Sequence, residues 1–352
     1  MLEKQKRILI IKPSSLGDII HTLPVVHALK RYFPGSSIGW VVQQSYAPLL
    51  VADKSIDTVY PISIPSTSDP HAGQDAWLQA LKATVHTLKM LRAQFQQEPY
   101  DLILDLHASL RSGLLGRTNP GGKRIGFKDA KELNTFFQNE LIAVPAEMKH
   151  AQDKNLLFCT HLQCQVREED FYLCCGEEDN QKVKAFLARH GLNKKQVIYA
   201  NPAARWQSKF WPVEHWAALA DQFDAQGKSL VFGGSKQDVE YIDSIKKKMH
   251  TSPVIAAGHL SLPQSIALMQ HASLYIGLDS GPMHMAALSR IPVVALFGPT
   301  HPERVGPYGV EHRIIRVEQL DCLECRKRKC SHCSCMQGIS SQMVYDAALS
   351  LL

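Results

Sequence analysis

Short, continuous apolar runs alternate with amphipathic helical stretches along most of the sequence. Strands that are apolar on both faces are typical of a parallel sheet covered by helices on both sides. The pattern therefore predicts an α/β protein built from parallel sheets. We predict strands at residues 8–11, 38–42, 58–61, 101–105 and 124–127, and again at 197–200, 229–232, 253–256, 274–277 and 293–297. We predict helices at 18–33, 76–95, 110–116 and 178–190.

The alternation stops and restarts near residue 175, which indicates two domains. A chain of 352 residues suits this number, since a domain takes roughly 150 residues. We predict two Rossmann-like, doubly wound domains at 1–165 and 175–335, joined by a connector at 150–175, and a last helix at 340–352 that packs back on the first domain. Ligands of such sheets lie outside the carboxyl ends of the strands. We therefore expect the site in a cleft across which the two domains face each other.

Composition narrows the class of protein. Hydrophobic residues make up 45% of the chain and charged residues 20%, which excludes a disordered or fibrous protein. The formal net charge of +6 suits an anionic ligand, but it is modest for a protein that binds nucleic acid. No apolar run approaches the roughly 20 residues of a membrane span. We predict a cytoplasmic protein with no nucleic-acid partner, and the basic surplus is compatible with peripheral contact to a membrane.

The first candidate site is the turn Lys-Pro-Ser-Ser-Leu-Gly-Asp at residues 12–18, which joins the first strand to a helix. It lacks the three-glycine dinucleotide fingerprint, so it does not indicate nicotinamide chemistry. Asp18 stands in the first turn of the predicted helix. One interpretation is an acid that interacts with the helix dipole, and the other is a general base aimed into the cleft.

The second candidate site follows the predicted strand at 274–277 and contains Asp279, Ser280, Gly281 and His284. A helix that begins near Gly281 would point its free N–H groups at a ligand, which is a ready site for a pyrophosphate. His284 would add a donor one turn further on. The alternative is an Asp/Ser helix cap with an incidental histidine.

The third candidate site is the loop at 201–212, where Arg205 and Lys209 could neutralise a phosphate ester or a departing diphosphate. A solvated loop anchored by a buried Trp211 is the alternative. The Gly-Gly-Ser loop that ends at Ser235 is a weaker candidate at the same edge of the sheet.

Five of the nine cysteines fall within residues 322–335, which is not the distribution of a secreted disulfide framework. Four thiolates can hold a structural Zn²⁺, and an iron–sulfur cluster is a further alternative. The four that we consider are Cys322, Cys325, Cys330 and Cys333. We favour a structural loop of free thiols, because the central gap of four residues is shorter than in zinc ribbons. Arg326, Lys327, Arg328 and Lys329 lie within it and suit an anionic acceptor or an anionic membrane surface.

Five ordered segments together resemble the ADP-heptose:lipopolysaccharide heptosyltransferases, the inverting GT-B glycosyltransferases of family nine. The segments are ILIIKPSSLGDIIHTLPVVHALK, YDLILDLHASLRSGLL, KFWPVEHW, GLDSGPMHMAA and VVALFGPTHPERVGPYG. The opening segment is most similar to heptosyltransferase I. The resemblance spans nearly the whole chain and implies a GT-B fold.

The resemblance also implies a role for each matching residue. Asp18 falls on the catalytic base of the family, and Lys209 falls on the lysine that stabilises the leaving diphosphate. The donor-binding motif D-[TS]-G-x-x-H falls on Asp279, Ser280, Gly281 and His284, and the loop around the base falls on Ser14, Ser15 and Gly17.

Three departures from the family pattern concern the donor and the acceptor. Ala203 and Ala204 stand where heptosyltransferase I carries hydroxyl residues, and Ser235 replaces an acidic contact to the ribose. The loop at 61–75 lacks the arginines expected for the acceptor.

The implied activity is transfer of heptose from ADP-heptose to a sugar hydroxyl, on Kdo or heptose, of the lipopolysaccharide inner core, with inversion. Since the chain contains no Asp-x-Asp motif, we expect catalysis without a divalent metal and no cofactor. A nucleotide-sugar epimerase or hydrolase of the same architecture is the alternative enzyme. A nucleic-acid or metal-binding module based on the Cys-rich loop is the alternative without catalysis.

Overall fold

The computed structural model describes residues 6–65, 75–194 and 196–352. The chain divides into two compact units, Met1–Phe171 and Tyr172–Leu352. Each unit is built around one parallel sheet.

The first unit contains a sheet of six parallel strands in the order β3-β2-β1-β4-β5-β6. The strands are β1 (Arg7–Ile11), β2 (Ser37–Gln43), β3 (Thr58–Ile62), β4 (Leu102–Asp105), β5 (Lys123–Phe127) and β6 (Glu140–Ile142). The helices are α1 (Leu16–Ile20), α2 (Leu23–Tyr32), α3 (Ala76–Gln97), α4 (Leu110–Arg117) and α5 (Ala151–His161). The central strand β1 is buried from Ile8 to Ile11, as expected for a strand with helices on both faces.

The second unit repeats this topology. Its sheet has the order β12-β11-β10-β7-β8-β9, again with parallel strands. The strands are β7 (Val197–Asn201), β8 (Ser229–Phe232), β9 (Val254–Ile255), β10 (Leu274–Leu278), β11 (Val293–Leu296) and β12 (His312–Ile315). The helices are α6 (Glu177–Arg189), α7 (Val213–Asp224), α8 (Val239–Lys246), α9 (Leu262–Gln270), α10 (Gly281–Leu288), α11 (Pro302–Val305), α12 (Ser334–Gln337) and α13 (Ser341–Leu349). In both units the strand that comes first in the chain is central, and the chain winds outward from it in both directions.

The prediction of two doubly wound α/β domains is confirmed, and the ten predicted strands are present with small shifts at their ends. Two strands were missed, β6 and β12. Both lie at the edge of a sheet and are only partly buried, so they lack the continuous apolar run that marks a central strand.

The predicted helix at 18–33 is two helices, α1 and α2. Pro24 lies at the start of α2. Because proline has no N–H and its ring clashes with the preceding turn, one continuous helix cannot pass through it. The break leaves α1, which carries Asp18, as a short helix directly after the turn that follows β1.

The segment at 150–175 is not only a connector, because it contains α5. Gln152 and Asn155 on α5 donate to the carbonyl of His21 at 3.0 and 3.1 Å, which fixes this helix to the first unit. The predicted loop at 61–75 includes the end of β3, and residues 66–74 lie outside the described residues.

Contrary to the expectation that the last helix packs on the first domain, α13 lies in the core of the second unit. Val344 and Ala348 are completely buried there. The ring centroids of Tyr345 and Phe223 are 4.9 Å apart. Residues four apart share one face of a helix, so α13 places this apolar face against α7. None of the helices in the described part of the chain is long and apolar enough to cross a membrane.

Candidate active site

In the first unit, Asp18 lies on α1, immediately after the turn that follows β1. Its Oδ2 accepts hydrogen bonds from the backbone N–H and the hydroxyl of Ser15, at 3.0 and 2.7 Å. Asp18 is therefore the N3 residue of a capping box whose N-cap is Ser15, which fits the first interpretation of an acid in the first turn of the helix. Its Oδ1 lies 3.6 Å from Lys12 Nζ, and 45% of the side chain is exposed. One carboxylate oxygen thus holds the turn, and the other remains beside a cation.

Several groups act on the ionisation of Asp18. Loss of hydration raises its pKa, but Lys12, the amide and hydroxyl of Ser15, and His21 lower it by more. The net pKa lies well below the ordinary value of 3.8. Asp18 is therefore a carboxylate throughout the neutral pH range.

Lys12 joins the ends of two neighbouring strands. Its buried ammonium group donates to the carbonyl of Leu106 at 2.6 Å, and Leu106 follows β4. Since β1 and β4 are adjacent in the sheet, this bond brings the loop after β4 to the turn that precedes Asp18.

His107 is a residue of this cluster that the sequence reasoning did not single out. Burial is the largest influence and lowers its pKa, Lys12 lowers it further, and the carboxylates of Asp18 and Asp105 act in the opposite direction. The net pKa is below 6.5, so His107 is neutral at pH 7. Its position in the segment YDLILDLHASL, at the carboxyl end of a strand next to β1, is the feature that could have identified it in the sequence.

Asp105 has a structural role in presenting His107. Its Oδ1 accepts from the backbone N–H groups of His107 and Ala108, at 3.1 and 3.0 Å. Its Oδ2 accepts from Ser112 and Asn134, at 2.9 and 2.7 Å. A buried carboxylate with this many donors is satisfied, and it fixes the turn after β4.

In the second unit, Lys209 and Asp279 form a nearly buried ion pair. Lys209 Nζ lies 2.6 Å from Asp279 Oδ2, and the two side chains are 14% and 8% exposed. Nζ also donates to the backbone carbonyl of Asp279 at 2.8 Å. The loop after β7 is thereby fastened to the loop after β10, its neighbour in the sheet.

Helix α10 begins at Gly281, directly after this pair. Ser280 is in extended conformation and makes no side-chain cap, because its hydroxyl donates to the carbonyl of Leu278 at 3.2 Å. The Asp/Ser cap interpretation is therefore wrong for this helix. His284 lies one turn into α10 and is buried. A helix N-terminus with no side-chain cap and a lysine beside it favours an anion.

The remaining predicted residues lie on neighbouring loops of the same sheet. Arg205 is exposed on the loop after β7. Ser235 follows β8, and its amide and hydroxyl each donate to Asp238 Oδ2 at 2.7 Å. The resemblance leads one to expect an acidic residue at the position of Ser235. Asp238, three positions later, supplies a carboxylate in the same loop.

Residues 324–328 of the Cys-rich loop form a segment that we name the strap. Its backbone N–H groups at Glu324 and Arg326 donate to the carbonyls of Gly298 and Pro299, at 3.3 and 2.8 Å. A Cβ on Gly298 would lie 2.7 Å from the sulfur atoms of Cys335 and Met336. The Cys-rich loop therefore packs closely against the loop after β11.

The other end of the strap contacts the loop after β7. The hydroxyl of Ser208 donates to the carbonyl of Lys327 at 2.6 Å, and the Ser208 N–H donates to the carbonyl of Arg328 at 3.2 Å. Ser208 is buried and immediately precedes Lys209. The strap thus connects the loops on both sides of β10.

The thiols of this loop are all free. The backbone N–H of Cys333 lies 3.4 Å from Cys330 Sγ, and this N–H and that of His332 lower the pKa of Cys330. Within residues 6–65, 75–194 and 196–352, no three or more His, Cys, Asp or Glu side chains are grouped so that they could hold a metal ion.

The architecture matches that of a solved transferase. Escherichia coli heptosyltransferase WaaC with ADP-2-deoxy-2-fluoro heptose aligns with a TM-score of 0.74 and 21% identity, covering 98% of this chain and 100% of that chain. Two doubly wound units, each built around one six-stranded parallel sheet, are the architecture of the GT-B class.

The chain belongs to glycosyltransferase family 9 (heptosyltransferase), whose family model matches residues 88–335. Lipopolysaccharide heptosyltransferase 1 of Pseudomonas aeruginosa is 25% identical over 343 residues, which is 93% of this chain and 88% of the relative. Lipopolysaccharide heptosyltransferase 3 of Escherichia coli is 28% identical over 288 residues, which is 81% of this chain and 80% of the relative. The predicted family, and with it a glycosyltransferase enzyme, is confirmed.

Proposed function

We propose that this glycosyltransferase transfers heptose from ADP-heptose to a sugar hydroxyl, on Kdo or heptose, of the lipopolysaccharide inner core, with inversion at the anomeric carbon. The observation that supports this most directly is the position of Lys209, held against Asp279 at the start of α10. The family supports heptose as the transferred sugar, and the relative solved with an ADP-heptose analogue supports ADP as the carrier.

The donor diphosphate binds in the second unit. The N-terminus of α10 provides backbone N–H groups and the positive end of the helix dipole. Lys209 adds a cation, and His284 adds an imidazole hydrogen-bond donor one turn along the helix. As the bond between the anomeric carbon and the diphosphate oxygen breaks, its electron pair moves to that oxygen. Fixed positive groups that face the developing charge stabilise it without reorganisation of solvent.

The acceptor hydroxyl is activated in the first unit. Its oxygen forms the new bond to the anomeric carbon, on the face opposite the diphosphate, and its proton passes to Asp18 Oδ1. Lys12 keeps Asp18 ionised but also weakens it as a base, so the proton moves only after the new bond has begun to form. Ser14, Ser15 and Gly17 shape the turn that holds the carboxylate.

The proposed mechanism uses no divalent metal and no cofactor. The role that a metal has in other transferases, stabilising the charge of a departing diphosphate, falls here to Lys209 and α10. Arg205, on the same loop as Lys209, is a further cation of the donor site. Asp238 takes the place of the acidic ribose contact that Ser235 lacks.

A reaction panel tests this function. Purified protein is incubated with ADP-heptose and with acceptors that end in Kdo or in heptose, and products are identified by mass spectrometry. A product heavier by one heptose, with release of ADP, supports the proposal. Rapid release of ADP without any acceptor would instead favour the hydrolase alternative, and no reaction with any ADP-sugar would contradict the donor assignment.

A further inference from the structure

Helix α3 carries an exposed face that is both apolar and basic. Trp77 is 64% exposed, Leu78 50%, Leu81 47% and Val85 45%. An α-helix advances about 100° per residue, so these four side chains fall within about 100° of its circumference. Exposed apolar residues that occur singly are ordinary, but a group on one face marks an interaction surface.

The charge of α3 identifies the kind of surface it fits. Between residues 76 and 97 there is no acidic residue, whereas Lys82, Lys89 and Arg92 are all exposed. By helical spacing they share the half of the circumference that carries Trp77 and Leu81. Leu91 and Phe95 pack on the sheet from the adjoining side of α3. By helical spacing Phe95 lies at the same angle as Trp77, five turns further along, so the exposed face borders the buried one.

We propose that this face of α3, the α3 surface, binds the anionic surface of a lipid bilayer. Amphipathic helices with basic side chains, and with tryptophan and leucine on the apolar face, lie in the membrane interface in this way. Each basic residue near an anionic leaflet strengthens binding about fivefold. The choice of partner rests on the proposed function, because an acceptor carried by lipid must be met at a membrane.

The test is co-sedimentation with vesicles that contain neither acceptor sugar nor donor. Vesicles of phosphatidylglycerol and phosphatidylethanolamine are compared with vesicles of phosphatidylcholine over a salt series. We expect the wild type to bind the anionic vesicles at low salt and to dissociate as salt rises. No binding to either kind of vesicle overturns the proposal, and heptose transfer to a water-soluble acceptor fragment is measured separately.

Substitutions locate the surface. The triple substitution Lys82→Gln, Lys89→Gln, Arg92→Gln should weaken binding about a hundredfold, and Trp77→Ser with Leu81→Ser about tenfold or more. All five side chains are exposed, so thermal melts should be unchanged. Val51→Ser, at a residue 73% exposed in the same unit, is the matched apolar control and should bind as the wild type does.

Two outcomes would overturn the assignment to α3. If neutralising Arg326, Lys327, Arg328 and Lys329 abolishes binding while the α3 variants bind normally, the membrane contact lies on the Cys-rich loop. If light scattering detects a dimer that Trp77→Ser dissociates, the α3 surface meets a second copy of the chain instead.

The strap joins the two loops that lie on either side of β10. Its anchors are on the loops after β11 and β7, the two strands that flank β10. These strands lie about 10 Å apart, two inter-strand spacings. One residue, Lys327, lies between Arg326 on one anchor and Arg328 on the other, and each residue advances the chain by at most about 3.6 Å. The strap therefore holds the loop after β11 and the loop after β7 close to each other.

Arg328 and Lys209 lie on the same indole ring. The guanidinium carbon of Arg328 is 5.6 Å from the centroid of Trp206, and Lys209 Nζ is 4.8 Å from it. Lys209 is already paired with Asp279, so this pair has no net charge. A diphosphate at α10 therefore gains from cations outside this pair, in addition to Arg205.

The geometry points to Arg328 as such a cation, a specificity residue that binds the diphosphate of the donor. Guanidinium binds phosphate oxygens through two parallel N–H groups, which suits this role. The inference deepens the proposed function and rests on it for the choice of ADP as the probe.

Isothermal titration with ADP and with adenosine tests the role of Arg328. Arg328→Gln should weaken ADP binding at least about tenfold and leave adenosine binding unchanged. Lys329→Gln removes the same charge one residue later and is the matched control, with ADP affinity expected within about twofold of the wild type. Arg328 is exposed, so the variant should melt as the wild type does.

The outcomes separate this inference from the proposed function. If Lys209→Ala weakens ADP binding and Arg328→Gln does not, or if Arg328→Gln weakens ADP and adenosine equally, Arg328 does not bind the diphosphate. If the wild type binds UDP but not ADP, and Arg328→Gln weakens UDP binding, the proposed donor is wrong and the role of Arg328 stands. An effect on the acceptor KM alone would place Arg328 on the acceptor and overturn the inference.

Discussion

Lys209 Nζ lies 2.6 Å from Asp279 Oδ2 and 2.8 Å from the backbone carbonyl of the same residue. These two contacts fasten the loop after β7 to the short segment between β10 and α10. The same lysine is the cation that we assign to the leaving diphosphate, so it has a structural and a chemical role that experiments can separate.

Lys209→Ala should lower both stability and turnover. It leaves the buried Asp279 carboxylate without its cation, which costs about 3 kcal/mol of unfolding free energy. It also removes one fixed charge from the diphosphate, which slows turnover about a hundredfold. Thermal melts and steady-state kinetics measure the two effects.

The double variant Lys209→Ala, Asp279→Asn separates them. Since asparagine carries no charge, most of the lost stability should return while turnover stays low. Recovery of turnover together with stability would show that Lys209 acts only through folding.

Asp18→Asn should reduce turnover at least about a hundredfold, the lower range for loss of a general base. The amide can still accept the hydrogen bonds from Ser15 that hold the turn, so the protein should fold and bind ADP nearly as before. Kinetics and ADP titration measure this. Turnover close to that of the wild type, in a folded protein, would remove Asp18 from the chemistry.

The fall of kcat/KM at acidic pH should follow the titration of His107 and not that of Asp18. The pKa of Asp18 is below 3.8, so Asp18 stays ionised across the working range. The pKa of His107 is below 6.5, so protons add to it as the pH falls beneath that value, next to Lys12. We expect kcat/KM to fall there in the wild type and to stay level in His107→Gln. A fall that persists in the variant would assign the titration to another group.

The same shift predicts how stability depends on pH. Because the folded-state pKa of His107 is depressed, its contribution to stability is complete above its ordinary pKa of 6.5 and is lost as the pH falls through the folded pKa. Melting temperatures between pH 7 and pH 5 should therefore fall more in the wild type than in His107→Gln.

Transfer should persist in excess EDTA, because the positive charge that faces the diphosphate belongs to the protein. Loss of transfer that Mg²⁺ restores would contradict a metal-free mechanism. The same experiment tests the Cys-rich loop: a loss of thermal stability in EDTA that Zn²⁺ restores would show that Cys322, Cys325, Cys330 and Cys333 hold a structural ion.

The sequence alone was sufficient to predict the fold class and the family. Buried parallel strands require continuous apolar runs, and such runs can be recognised in the sequence. The positions of Asp18, Lys209 and Asp279 at the carboxyl ends of strands were predictable for the same reason. Edge strands β6 and β12 were not, since partial exposure removes their apolar signal.

Only the tertiary structure decided which of these residues meet. The Lys209–Asp279 pair joins residues 70 positions apart, and the place of His107 beside Lys12 depends on the adjacency of β1 and β4. From the sequence, the Cys-rich loop suggested contact with an acceptor, a membrane or a metal, whereas in the structure its hydrogen bonds join it to the loops after β11 and β7. Spacing along a chain determines the faces of helices and strands, but contacts between distant loops arise from the order of strands in a sheet, which local periodicity does not encode.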